Sequence, residues 1–225
     1  MSLLKELQHY IESIYGENSG VNLEEFVVGE TRFTALDRQA GPESRELSDL
    51  ARIFLRQQEG KLYMAIYFSR PVISLLERND PRRGLSEHNI HPFIVFIEEV
   101  NHALHAAIKF LAGDREIKSE HFIRDLELLA KIDTYYILKC FLAYFNRSKQ
   151  LENFDRLWLR YHLFERASFQ YQNPKLSERY FETNRLGEKY IRYLDALPQQ
   201  HRVDEMRRFR SLSYPVKARY ISMLP

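Results

Sequence analysis

Three polar residues stand where helical periodicity places core. Asp133 falls in the apolar stripe Phe122, Leu126, Leu129, Tyr136, Cys140, and Glu165 in the stripe Phe154, Trp158, Tyr161, Phe169. His102 follows Glu99 by one helical step, just beyond the wholly apolar run Phe93 to Ile97. Burying an unpaired carboxylate costs several kcal/mol, so each such group must find a cation, a metal or a hydrogen-bond donor, or border a cavity. A chain that folds around these positions must provide for them.

The remaining pattern sets the architecture. Leu3, Leu4, Leu7, Ile11 and Ile14 repeat at helical spacing, and Gly16, Asn18 and Gly20 end the run, which predicts an opening helix over 3–15. The stretch through Arg38 contains a candidate strand at Phe26-Val27-Val28, followed by Gly29, and Gly41-Pro42 breaks the chain. From Ala51 to Ser69 the period changes to two. Ile53 and Leu55, then Leu62, Met64, Ile66 and Phe68, alternate about Gln58-Glu59-Gly60, the signature of an antiparallel hairpin.

After Pro71 a short helix (Val72, Leu75, Leu76) runs to the breaker Asn79-Asp80-Pro81. Four helical segments follow, roughly 87–112, 119–146, 151–171 and 175–196, with Ser119 and Ser177 as caps, and a basic helix or tail begins at 201. The short link between the first two predicts antiparallel neighbours. The expected fold is α+β and predominantly helical, a small antiparallel sheet packed beside an antiparallel helical bundle. It reads as a single domain over 1–225, with a mixed helix and hairpin part (1–86), a bundle (87–196) and a basic carboxyl-terminal helix or tail (197–225).

Composition narrows the classes of partner. The 33 basic and 31 acidic residues leave a formal net charge of +2, which supplies no global field for nucleic acid or an anionic membrane, so a charged partner must be read by a local patch. No apolar run of about 18 residues exists, and Met1 to Leu4 followed by Lys5 and Glu6 lacks the apolar core of a signal peptide. The lone Cys140 excludes an internal disulfide and lies on the core side of its predicted helix, where it reads as an inert thiol. These features lead us to expect a cytoplasmic protein without membrane association.

The densest polar constellation is Glu98 to His105. On a helix whose apolar arc is Ile90, Phe93, Ile97, Val100, Leu104 and Leu111, the residues Glu98, Asn101, His102, His105 and Lys109 gather on the other faces. Glu98 to His102 is an i,i+4 step and Glu99 to His102 an i,i+3 step, spacings that let a carboxylate and an imidazole approach one cation. In an antiparallel hairpin of 87–112 and 119–146, Asp133 lies level with residue 98, and Leu129 with His102. Glu98, Glu99, His102, Asp133 and Glu165 are therefore candidate ligands for a divalent metal ion, with His105 and His162 supporting them or relaying protons.

Each residue also has a plain reading. The Glu98–His105 face is then solvated, Asp133 accepts from Tyr136, Tyr180 or an arginine, Glu165 pairs with Arg160, Arg166 or Arg179, and His162 is an edge histidine. The Glu-x-x-His step at Glu99 and His102 resembles one element of the ferritin-like di-metal pattern, but His162 and Glu165 have the reverse order and no fourth ligand helix is evident. His-Glu-x-x-His, Gly-x-Ser-x-Gly, a Walker loop and Gly-x-Gly-x-x-Gly are all absent from the sequence.

Near the carboxyl terminus Arg207, Arg208 and Arg210, close to Phe209 and Tyr214, are candidate phosphate contacts; the plain reading is a solvated helix pairing with acidic neighbours. Three functional readings follow. One is a metal-binding helical protein, a metal-dependent hydrolase or oxidase. Another is a non-enzymatic interaction module whose helical faces dock a protein partner or a second copy of the chain. The third is nucleic-acid contact through the basic carboxyl-terminal segment, against which the near-neutral balance argues.

Overall fold

The computed structural model describes residues 1–41 and 46–225. Helix α1 (Leu3–Tyr15) opens under a Ser2 cap that accepts from the Lys5 N–H at 3.2 Å. It closes on Gly16, whose φ of 65° is the left-handed conformation a helix terminus needs, while the Glu17 N–H returns to the Glu12 carbonyl. Its apolar face, Leu4, Leu7, Ile11 and Ile14, is buried. A 3-10 turn then leads to strand β1 (Val27–Val28) and helix α2 (Glu30–Gln39). Sequence periodicity does not announce α2, which buries no residue fully. Of the expected break at Gly41-Pro42, Pro42 lies outside the described residues.

Strands β2 (Ala51–Gln58) and β3 (Lys61–Phe68) form the expected hairpin in unbroken register, Ala51 opposite Phe68 through Gln58 opposite Lys61. The loop is the pair Glu59-Gly60, both at positive φ (50° and 73°), which matches the right-handed twist of the two strands. Leu62, Met64, Ile66 and Phe68 share the face turned to the helices, half-buried at the tip and fully buried at the base. Phe68 meets Phe96 there, while Phe33 of α2 stacks on Tyr67 across the sheet. The sheet is mixed, not wholly antiparallel: β1 joins β3 in parallel, giving the order β1-β3-β2. A parallel neighbour requires a crossover, which the intervening α2 and β2 supply.

Helix α3 (Arg70–Arg78) ends before the Pro81 turn. Then come α4 (Ile90–Leu111) and α5 (Glu120–Phe145), adjacent and antiparallel as expected, with α5 continuous through Asp133. Ser119 caps α5, but Asn173 and Pro174, not Ser177, open α7 (Pro174–Ala196). Between them α6 (Asn153–Arg160) runs into a π-helical turn, Tyr161–Glu165, and the helix ends well short of 171. The basic segment forms two helices, α8 (Gln199–Arg210) and α9 (Tyr214–Met223), which bury Met206, Phe209, Tyr214 and Ile221. They are part of the core and not a tail.

The centre of the molecule is α4. It touches α1, α3, α5 and both strands of the hairpin, so it is covered on nearly every side. Ala103, Ala106 and Ala107 let those neighbours approach closely. The polar residues expected on a solvated or cleft-lining face are consequently inside: Asn101 and His105 are fully buried and His102 almost so. Among the described residues no helix is long and apolar enough to cross a membrane.

Candidate functional site

Burial of a polar helix face is costly unless its groups are answered, and α5 answers the charged groups of α4 in turn, although the buried Asn101 amide is left without a partner. Near the start of α5, Asp125 is buried between Lys109 of α4, 2.7 Å away, and Lys217 of α9, which donates to it at 2.6 Å. Farther along, His102 lies between Glu99 of its own helix (3.8 Å from Nδ1) and Glu127 of α5 (3.5 Å from Nε2), and Tyr180 of α7 donates to Glu127 at 3.1 Å. Next, Lys131 donates to Glu98 at 2.6 Å. Finally Asp133 accepts from the Tyr15 hydroxyl of α1 and meets His105 Nε2 at 2.7 Å. A carboxylate only accepts, so this geometry places the His105 proton on Nε2.

Electrostatics follow from the alternation of sign. Burial alone would lower the His102 pKa, but the facing Glu127, reinforced by Glu99, raises it well above the usual histidine value. Burial would raise Glu127, yet His102 and Lys131 hold it below the ordinary carboxylate range. Both shifts describe one stabilised ion pair, an imidazolium against a carboxylate. Lys217 behaves differently: burial brings its ammonium down to about 8, only partly offset by Asp125 and lowered further by Lys109 and Arg210. Tyr15 and Tyr180 are pushed well above the normal phenol value, first by burial and then by Asp133 and Glu127 respectively.

The candidate ligands are thus divided among separate partners. Glu98 belongs to Lys131, Glu99 and His102 to the Glu127 cluster, and Asp133 to Tyr15 and His105. Asp133 is as buried as its stripe demands, but it sits with His105 and not with Glu98 or His102, and neither Tyr136 nor Tyr180 is its partner. The two nitrogens of His102 face different carboxylates, so one ion on either nitrogen reaches only one of them. Among the described residues no three His, Cys, Asp or Glu side chains form a group able to hold a metal ion.

Glu165 departs from expectation altogether. It is exposed at the end of the π turn, far from a core stripe. Helix α6 carries apolar residues on two sides, and the side that packs inward is Leu159, continued by Leu163 and Phe164. Of the arginines expected to pair with Glu165, Arg160 pairs with Glu188 and Arg179 with Glu120, and among the described residues Arg166 forms no ion pair with it. His162 is an edge histidine with its ring tucked against Trp158, and its Nε2 lies 3.0 Å from Glu87, which also accepts from the Trp158 indole at 2.5 Å.

The three carboxyl-terminal arginines are internal ties. Arg207 donates to the Ile14 carbonyl at the end of α1, Arg208 to Glu205 and Tyr220, and Arg210 pairs with Glu17 while lying over the Tyr15 ring.

Asp125, Glu127, Lys131 and Lys217 were not singled out from the sequence, although two signals were there. Asp125, Leu129 and Asp133 recur at i, i+4, i+8, and Lys217 falls between Tyr214 and Ile221 on one helical face. Cys140 is half-buried and not sealed in the core; it lines a shallow groove of about 340 Å³ with Tyr10, Phe141, Tyr144 and Phe145. Burial raises its thiol pKa, which keeps it protonated and a poor nucleophile. Comparison with protein-family models, curated proteins and solved structures finds no match for this chain.

Proposed function

We propose that this chain is a non-enzymatic helical interaction module that pairs with a second copy of itself through α6 and the adjoining end of α5. The observation that carries this reading is the outward stripe of α6. Phe154, Leu157 and Tyr161, spaced i, i+3, i+7, are 73%, 62% and 50% exposed. Tyr144 (68%) and Phe145 (40%) continue the apolar surface at the end of α5. Single exposed apolar residues need no explanation, whereas a helical face of them beside a second exposed aromatic pair is the composition of an interface core.

Charge on the rim favours a second copy as the occupant. Exposed Arg147 and Lys149 precede exposed Glu152 in the α5–α6 link, and exposed Glu87 lies against Trp158 of α6, so the border carries both signs, as a two-fold contact of one patch with itself requires. A net charge of +2 leaves little long-range repulsion between copies. The metal-dependent hydrolase or oxidase reading has less behind it, because Glu99 and Glu127 face opposite nitrogens of His102 and Glu98 is held by Lys131.

Sedimentation velocity over a concentration series tests the proposal. The parent chain is expected to pass from monomer to dimer, while Phe154→Asp with Leu157→Asp, two exposed substitutions that leave the helical circular dichroism intact, stays monomeric. A parent that remains monomeric throughout, or a double variant that dimerises as the parent does, refutes it. Elemental analysis of chain purified without a metal-affinity tag is expected to find no stoichiometric metal; near-stoichiometric metal would return the Glu99, His102 and Glu127 cluster to consideration.

A further inference from the structure

The sheet ends on a strand with one partner. In the order β1-β3-β2, β2 bonds β3 along one side only. The Ser69 N–H donates to the Leu50 carbonyl at 2.8 Å, which fixes the phase of the ladder. Residues 52, 54, 56 and 58 then exchange bonds with β3, and the N–H and C=O groups of Ile53, Leu55 and Gln57 point away from the sheet. Among the described residues no hydrogen bond engages those outward groups. Of the devices that normally blunt an edge, this eight-residue strand has charged side chains in Arg52 and Arg56 but no proline and no bulge.

Side chains beside the edge state what would suit it. Ile53, Leu55 and Gln57 lie on the face that packs toward α4, where Leu55 joins Phe110, Phe122 and Leu126. On the opposite face Arg56 is exposed, next to exposed Lys61 on β3. Arg115 and Lys118 of the α4–α5 link add to a groove of about 610 Å³ at the hairpin tip, against the acids Glu59 and Glu116. The local balance is therefore positive. β2 contains no acidic residue, so a two-fold pairing of the strand with itself gives Arg56 no counter-charge directly across the ladder in any register.

We propose that the outer edge of β2 accepts an added strand from a partner protein, an extended segment that alternates apolar and acidic residues. Its backbone would complete the ladder, its apolar side chains would continue the Ile53 and Leu55 face, and its acids would meet Arg56. This surface is separate from α6, and the proposal stands independently of self-association.

The probe is a fluorescein-labelled peptide of alternating valine and glutamate, about ten residues long to span the strand, read by fluorescence anisotropy against the full chain. The controls are the same peptide with lysine for glutamate, and the same with alternate backbone nitrogens methylated. The acidic peptide is expected to bind at least about tenfold more tightly than either control, and to slow amide exchange at Ile53, Leu55 and Gln57. Arg56→Glu should weaken it, with Arg56→Gln as the milder variant, whereas Phe154→Asp with Leu157→Asp should leave it unchanged. No binding, equal binding of the methylated or lysine peptide, or protection centred on α6 overturns the proposal. So does dimerisation of the chain through β2.

Discussion

Asp133 illustrates what a fully buried carboxylate requires. Its two oxygens are divided between a phenol from α1 and an imidazole from α4, so removing the side chain orphans two buried donors at once. Asp133→Ala should destabilise the fold by roughly 3–5 kcal/mol, the range for breaking a buried pair. Asp133→Asn should cost less, because an amide oxygen still accepts from one of the two donors. Denaturant unfolding checks both values, and a neutral Asp133→Ala would mean that Tyr15 and His105 do not depend on this carboxylate. The burial of Asp133 was legible because its stripe is unambiguous; its partners were not. Tyr15 lies 118 positions away, and His105 was assigned to a face that only the crowding of α4 turns inward.

At the scale of elements, the strength of a pattern decided how much could be read. The hairpin declared itself because two strands alternate about a glycine-containing turn, and α4 with α5 because each carries a long apolar arc. Helix α6 did not, since it is apolar on two sides and only tertiary packing chooses between them. The N-terminus of α5 shows a further layer that periodicity cannot supply. There Arg179 of α7 and Arg124 both donate to Glu120 at 2.9 Å, and these bonds, chiefly that from Arg179, hold the Glu120 carboxyl down at about 2.

A carboxyl whose folded pKa is depressed contributes stability above its unfolded value, near 4.5, and loses it as pH falls toward about 2. Glu120→Gln should accordingly flatten the acid limb of the stability curve between those values while changing its slope little around pH 7. Urea unfolding of parent and variant at stepped pH measures this. Parallel acid limbs would show that the α5–α7 tie is not ionic in effect, as the partial exposure of Glu120 and solvent screening could bring about.

For the whole molecule, one apolar cluster draws on residues from Leu4 to Ile221, and a buried seam of paired charges runs through it along α4 and α5. The sequence marked the polar positions of α4 as special, and their chemistry differs from the expectation because α5 supplies a counter-charge for Glu98, His102, His105 and Lys109, while the buried Asn101 amide has no partner. On the surface, the apolar stripe of α6 and the end of α5 are left without a covering element. The most direct measurement is amide hydrogen exchange of the parent chain at low and high concentration. Self-association predicts that exchange slows with concentration across Asn153–Glu165 and the last turn of α5, and stays constant along the buried faces of α4. Exchange in α6 that does not change with concentration, or protection that rises instead on another surface, would contradict the account.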